Sequence, residues 1–422
     1  MARITGVYRT TTVAEETVRA FIPHPLPPKQ PPLRIEGKLA EQHADATASL
    51  GRLAVAGAMV PSPGWFLYGF VRKEAVVSSQ IEGTQATLQD VLTYEATRQA
   101  ERPADVEEVC NYVEALHFAR AEMTRPKGLP LCTRLLCAIH GRLMTGVRGA
   151  NKRPGTIRAS QNWIGGTRPG NARFVPPPAD VVPKALADLE RWIHRNDPLP
   201  PLVRAGLAHV QFETIHPFLD GNGRVGRLLV ALLVEYWGLL SSPLLYLSLA
   251  FKRHQQEYYR RLGAVRTDGD WEGWTAFFLE CVREAADDGV DAARRLFALL
   301  DVHRRKVTKH PAATIPAIRL LDLLPEHPMV TLPITIELLD TSKPTAAKAI
   351  EALCRAGVLH EITGKRRDRI YAYRDYLKVL AEDTNLPPGS PGPRRNSADA
   401  LRQTNARLGS ALRRLTKGPG ND

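Results

Sequence analysis

A helix cannot run through His216-Pro217-Phe218-Leu219-Asp220-Gly221-Asn222-Gly223-Arg224-Val225-Gly226-Arg227. Pro217 and the Gly-Asn-Gly triplet force a loop between two apolar helical runs, Leu202 to Ile215 and Leu228 to Trp237. Successive backbone N–H groups in such a turn, entering a helix, form a nest for an anion, and the helix dipole favours negative charge there. Arg224 and Arg227 are three apart and share one face of the first turn, where their own charge opposes the dipole unless an anion answers them. Asp220 is a hard oxygen ligand suited to Mg²⁺, and His216 stands at the loop's entrance as a potential base. Singly these are ordinary features, a structural His, an Asp-Gly turn and a solvated basic face. Together they describe a nucleotide-phosphate site with a group that activates a nucleophile.

The twelve residues resemble the signature of the Fic family, His-Pro-Phe-x-(Asp/Glu)-Gly-Asn-Gly-Arg-x-x-Arg, at every defined position. Most members of that family transfer AMP from ATP to a Ser, Thr or Tyr hydroxyl of a protein. The resemblance implies ATP phosphates over Gly221, Asn222 and Gly223, with one Mg²⁺ on Asp220. It places Asn222 and Arg224 on the α- and β-phosphates, Arg227 on the γ-phosphate, and His216 as the base. Ser78-Ser79-Gln80-Ile81-Glu82-Gly83 resembles the family's inhibitory pattern, (Ser/Thr)-x-x-x-Glu-(Gly/Asn). By that likeness Glu82 pairs with Arg227 and displaces the γ-phosphate, with Ser78 one turn earlier on the same face. A carboxylate and a phosphate compete directly for one guanidinium fork.

The stretch from Lys152 to Pro178 is rich in Gly, Pro, Arg and Asn, and its β-capable pieces Thr156 to Ile164 and Ala172 to Val175 read as a hairpin. It resembles the family flap, whose edge takes a target segment as an added strand. On that likeness Trp163, Ile164 and Gly165 lie near nucleotide and target. Tyr258 of the Tyr258-Tyr259 pair matches a family tyrosine that touches the nucleotide.

With 422 residues the chain has room for two or three domains. The expected division is a helical region with the inhibitory helix over 1–115, the Fic domain over 116–300, a polar basic linker over 301–310, a winged helix-turn-helix over 311–380 and a flexible basic tail over 381–422. The expected fold is mainly α, a Fic-type helical domain with a β-hairpin flap plus a small winged-helix domain. Residues 1–23 read as polar with scattered apolar anchors. No apolar run reaches the roughly 18 residues of a membrane span, and the N-terminus lacks the apolar core of a signal peptide. The expected compartment is therefore the cytoplasm, with no membrane partner. Five scattered cysteines without a Cys-x-x-Cys pair fit free thiols.

The net charge of +13 is uneven, because residues 301–422 hold 21 Lys/Arg against 13 Asp/Glu. Thr341-Ser342 and Pro344 start a helix that Gly357 ends, and the stretches Val358 to Ile362 and Arg369 to Tyr373 flank a basic turn. This resembles a winged helix-turn-helix. DNA contact would then fall to Lys343, Thr345 and Lys348 on the third helix, and to Lys365, Arg366, Arg367 and Arg369 on the wing.

The leading reading is a protein adenylyltransferase, restrained by Glu82, acting on a target protein hydroxyl or on itself. Other readings stay open. One is a DNA-binding regulator that uses the Fic domain as a nucleotide sensor. Another is AMP removal or a different nucleotidyl transfer at the same site, although Gly223 stands where the phosphotransferase branch places a lysine. Relief of inhibition through a homodimer or a partner is likewise open.

Overall fold

The computed structural model describes residues 3–59, 63–98 and 100–384. The tail, including the apolar stripe from Leu401 to Leu415, lies outside the described residues. Strands β1 (Gly6–Val13) and β2 (Glu16–Pro23) open the chain as an antiparallel hairpin, followed by helices α1 (Lys38–Ala58), α2 (Pro63–Ile81), α3 (Leu88–Thr97), α4 (Pro103–Thr124) and α5 (Thr133–Leu143). Then come α6 (Val182–His194), α7 (Pro201–Ile215), α8 (Asn222–Tyr236), α9 (Leu247–Arg253), α10 (Gln255–Thr267) and α11 (Trp271–Lys309). The C-terminal elements are α12 (Ile315–Leu323), β3 (Met329–Val330), α13 (Leu332–Leu339), α14 (Lys343–Arg355), β4 (His360–Glu361), β5 (Tyr371–Ala372) and α15 (Arg374–Ala381). No helix among the described residues is long and apolar enough to cross a membrane.

Helix α7 sits at the centre, with every residue from Leu202 to Ile215 buried. Helix α8 packs against it on one side and α11 on another. Gly206 permits the close approach of α11, since a Cβ there would fall 2.7 Å from the Phe278 ring. The same glycine's carbonyl accepts the Trp274 indole N–H at 2.9 Å, which satisfies a polar atom in an otherwise apolar contact. The core is continuous from the α7–α8 pair out to the C-terminal elements.

Four features differ from the reading of the sequence. The N-terminal segment, read only as polar with scattered apolar anchors, is a full hairpin. Its Thr10-Thr11-Thr12-Val13 run is β-branched, yet its turn residues Ala14 and Glu15 both have positive φ (48° and 68°) without the usual Gly or Asn, so no turn signal marked it. The expected linker over 301–310 is helix as far as Lys309. Helix α11 is ~60 Å long, and His303 and Val307 continue its buried stripe from Leu296. Arg304, Arg305, Lys306 and Lys309 hid a stripe only one residue wide per turn. The expected boundary at 115/116 falls inside α4. The flap is narrower than expected, pairing at one bridge, with Ile164 N–H donating to Phe174 O (2.8 Å) and Phe174 N–H to Ile164 O (3.1 Å).

The C-terminal elements form a helical trio with a three-stranded sheet of order β3-β5-β4. Helix α15 returns to the N-terminal helices. The Tyr376 hydroxyl donates to the carbonyl of Pro325 (3.2 Å), with that of Trp65 also in reach (3.4 Å), and the Leu380 side chain packs on Gly69. Just beyond α15, Lys73 Nζ donates to the Glu382 carbonyl (2.9 Å), and Lys252 Nζ donates to both Thr384 O (3.1 Å) and Gln80 Oε1 (2.7 Å). Arg253 binds Glu284, Asp288 and Asp383 together. Because α11 is continuous, native-state trypsin should leave the Arg304-Arg305-Lys306 run intact. Rapid cutting there, read by mass spectrometry, would show an open linker instead.

Candidate active site

Helix α7 ends where Pro217 disfavours α geometry in the residue before it. His216 turns left-handed (φ 50°, ψ 62°), with its N–H still donated to Phe212 O at 2.9 Å. Left-handed backbone in a non-glycine residue is uncommon and concentrates at functional sites. Phe218 anchors the loop by stacking on His140 with centroids 3.9 Å apart and rings nearly parallel. Asn222 holds it closed. Its Oδ1 accepts from Phe218 N–H (2.9 Å) and its Nδ2 donates to Phe218 O (2.8 Å), so this side chain is spent on the loop rather than turned outward. Gly221, at φ 74°, caps the start of α8.

The His216 ring is half-buried. Its Nδ1 makes no hydrogen bond of good geometry, although the Glu213 carbonyl lies near enough to favour the protonated form. Burial, with Arg158 adding to it, pushes its pKa down to about 4, so the ring is neutral at pH 7 and able to accept a proton.

Arg227 and Glu82 meet. The Arg227 side chain is 1% exposed, and it donates to Glu82 Oε1 (2.8 Å), to Ser78 Oγ (2.9 Å) and to the Ser78 carbonyl (2.9 Å). Glu82 follows the last residue of α2 and is 33% exposed. Burial disfavours its ionised form, but Arg227 outweighs that and holds its carboxyl below the usual range. Arg227 is itself penalised by burial, and Glu82 more than restores its charge. A Cβ on Gly223 would fall 2.1 Å from Glu82 Oε1. Only glycine there lets the carboxylate lie over the first turn of α8, where the nest expects an anion.

Arg224 turns out to be engaged as well. It pairs with Glu108 of α4, and both side chains are buried. Thr84, two residues after Glu82, donates to the same carboxylate (3.0 Å). Arg148, on the loop after α5, approaches Glu108 Oε2 (3.7 Å) and the Glu82 carbonyl (3.4 Å). Neither Glu108 nor Arg148 stands in the signature, and no local pattern marks them, since they arrive from elements far along the chain.

Asp220 is half-buried at the loop's rim, with Oδ1 accepting the Gly221 N–H (2.7 Å) and Oδ2 in no hydrogen bond to a described residue. Among the described residues no three His, Cys, Asp or Glu side chains cluster as a metal site. One unpartnered carboxylate oxygen beside the loop still fits Mg²⁺, which takes few protein ligands and the rest from phosphates and water.

Tyr258 is buried, and its hydroxyl donates to His209 Nε2 (2.8 Å), whose Nδ1–H is in turn donated to Gly226 O (3.0 Å). Burial pushes the His209 pKa down to about 4, which keeps the ring neutral, and the Gly226 carbonyl, able only to accept, sets the proton on Nδ1. The exposed ring of the pair is Tyr259.

On the flap Trp163 is 38% exposed, Ile164 makes the bridge to Phe174, and Gly165 has φ 68°. Behind the bridge, Phe21 N–H of β2 donates to Val175 O (3.0 Å), and the Arg266 guanidinium lies 3.8 Å over the Phe174 ring. The N-terminal hairpin therefore backs the flap, a role its sequence did not announce. Asn162 Nδ2 donates to Phe218 O (3.1 Å), and the buried Arg158 reaches the carbonyls of Ile215 and His216. The candidate DNA residues lie elsewhere. Lys343, Lys348, Lys365, Arg366, Arg367 and Arg369 are exposed on α14 and the β4–β5 turn, and Thr345 is half-buried.

The Glu82 pKa is depressed in the fold, so its ionic contribution to stability is present above the unfolded carboxyl's value near 4.5 and is lost as pH falls through the lower, folded value. Urea unfolding of wild type and Glu82→Gln should therefore differ at pH 7 and converge as pH drops below that range. A difference independent of pH would remove the ionic part of this contact.

Residues 40–121 match the N-terminal region of the Fic/DOC family and residues 130–234 match the Fic/DOC family itself. A probable protein adenylyltransferase of Aquifex aeolicus is 45% identical over 65 residues, 15% of this chain and 20% of that protein. The protein adenylyltransferase Fic of Drosophila grimshawi is 26% identical over 212 residues, 49% of this chain and 40% of that protein. The chain thus spans well under half the length of these relatives. A crystal structure of a Fic family protein from Desulfovibrio desulfuricans superposes with a TM-score of 0.52 at 24% identity, covering 82% of this chain and 98% of that one, which shows a shared fold. The chain carries a Fic domain with the Fic/DOC family's N-terminal region ahead of it.

Proposed function

We propose that this chain is a protein adenylyltransferase held at rest by Glu82. The observation that carries the reading is the Glu82 carboxylate bound to Arg227 over Gly223, at the helix start that His216 adjoins. An anion already occupies the place a nucleotide's terminal phosphate would take. Its partner arginine would serve that phosphate equally well.

In the active form ATP lies with its phosphates over Gly221 to Gly223, and Arg227 exchanges Glu82 for the γ-phosphate. Asp220 would hold Mg²⁺, which when bound would supply positive charge to the phosphate oxygens. Asn222 keeps the loop in shape, and Arg224 is fixed by Glu108 beside the nest. A target strand pairs along the flap at Ile164, near Trp163 and Gly165, through main-chain bonds that carry little sequence information. Its Ser, Thr or Tyr hydroxyl oxygen attacks the α-phosphorus in line. His216 accepts the hydroxyl proton, the bond from the α-phosphorus to the bridging oxygen breaks, and pyrophosphate leaves. A positioned base contributes roughly 10²–10⁴-fold. The target is another protein or the chain itself, in a cytoplasmic setting.

A second reading concerns the C-terminal elements. Their helix–strand–helix–helix–hairpin order is that of a winged helix-turn-helix, and Lys348, Lys365, Arg366 and Arg367 are exposed with no ion pair among the described residues. That basic surface suits duplex DNA held by its phosphates. On this reading the Fic domain reports nucleotide state to a DNA-binding unit.

Incubated with MgATP, Glu82→Gly should gain mass equal to one AMP or label a lysate protein more strongly than wild type. Glu82→Gly/His216→Ala should lose transfer by at least ~10²-fold while still binding ATP. A folded Glu82→Gly no more active than wild type would end the inhibitory assignment. For the second reading, duplex binding should weaken as salt rises, and Lys365→Ala/Arg366→Ala/Arg367→Ala should lower the salt slope by roughly 2–3. A salt-independent or unaltered slope would leave the basic turn without a DNA role.

A further inference from the structure

Arg158 is a guanidinium 2% exposed with no carboxylate within ion-pair distance among the described residues. A buried cation without an anion is costly, so its neighbours must account for it. Every one of its hydrogen-bond partners is a backbone carbonyl. Nε donates to His216 O (2.9 Å), Nη1 to Ser160 O (3.1 Å), and Nη2 to Pro177 O (2.5 Å) and Ile215 O (3.4 Å). Its own main-chain N–H donates to Pro217 O (2.9 Å). These carbonyls fall into two sets. Ser160 and Pro177 stand on the two arms of the flap, while Ile215, His216 and Pro217 are the end of α7 and the entrance to the loop. The last carbonyls of a helix lack intrahelical partners and carry the negative end of its dipole. Arg158 caps them with a positive charge and fastens the flap with the same fork.

We propose that Arg158 is the positioning residue that locks the flap and the His216 loop into one register, so that a hydroxyl presented on the flap edge arrives at the imidazole. The inference rests on the proposed adenylyl transfer. It assigns Arg158 no contact with nucleotide or target. The left-handed turn at His216 leaves the imidazole's direction dependent on where its own carbonyl is held, and Arg158 Nε holds that carbonyl. A lysine keeps the charge but offers no planar fork, and so cannot span both carbonyl sets. The charge has a second effect. The charged groups acting on His216 are Arg158, Glu82 beyond α2 and Arg266 of α10, and the backbone carbonyl of Glu213 on α7 lies beside the ring. Arg158 disfavours the imidazolium, and its loss raises the pH at which the ring becomes protonated.

The test uses the full chain in the Glu82→Gly background with Arg158→Gln and Arg158→Lys. Arg158→Gln should lower kcat on the order of 10²-fold, as for a base displaced by about 1 Å, with the ATP KM within about twofold. The acid limb of its rate profile should move to higher pH. Arg158→Lys should lower kcat but keep the acid limb. Two further readouts need no transfer. The ring-proton titration of His216, identified by its absence in His216→Ala, should move up in Arg158→Gln only. Hydrogen exchange should rise in 156–165 and 215–221 together in both variants. If Glu82→Gly transfers no AMP, the proposed function falls, while titration and exchange still decide the role of Arg158. A folded Arg158→Gln with unchanged titration and unchanged exchange in both segments overturns the inference, as does an equal rise in ATP KM. If Arg158→Gln does not fold, Arg158→Lys carries the test. In that variant, exchange left unchanged in both segments overturns it.

Discussion

Arg227 sits 1% exposed in the second turn of α8, near the positive end of the helix dipole, which disfavours a cation. It can stay there only with an anion and acceptors around it. Glu82 supplies the charge, and Ser78 supplies a hydroxyl and a carbonyl. Much else follows. Helix α2 must end beside α8, Gly223 must lack a side chain, and Gly83 (φ 96°) must turn the chain away at once. Thr84, just after that turn, then ties the same segment to Glu108 and through it to Arg224. Both signature arginines are thereby answered by carboxylates from the N-terminal helices, one half-open to solvent and one fully buried.

The site is held from two other directions. Arg158 and Asn162 bind the flap to the loop, while β2 and Arg266 back the flap from behind. On the far side, the C-terminal elements are no loose appendage. Helix α11 packs on α7 and on α12 and α15 alike, and the residues just after α15 meet Lys73 of α2 and Lys252 of α9, whose ammonium also holds Gln80 two residues before Glu82. A buried network of this kind is stiff when fully satisfied, so the end of α2 is set by contacts on both of its faces.

Legibility of the chain followed the range of the interactions. The loop at 216–227 could be read because Pro and Gly act on their own backbone, and because His, Asp and two Arg stand within one loop and one helical turn. Helices α7 and α8 were equally plain, since apolar periodicity is local. The hairpin β1–β2 was missed because its turn uses Ala14 and Glu15 rather than Gly. The helical character of 301–309 was missed because its buried stripe is His303 and Val307 among basic residues.

The sequence alone determined the loop, the helices that flank it, and which side chains carry chemistry, since each depends on residues within a few positions. It also paired Glu82 with Arg227 by likeness to a known pattern. Tertiary structure alone decided that Tyr258 is buried against His209, that Asn222 closes the loop, and that Arg224 meets Glu108, 116 residues away. It alone placed the uncompensated Arg158 between flap and base. Each of these is a partnership between buried polar groups. Burial makes such partners obligatory, but which group supplies them depends on how distant elements pack, and no local spacing encodes that.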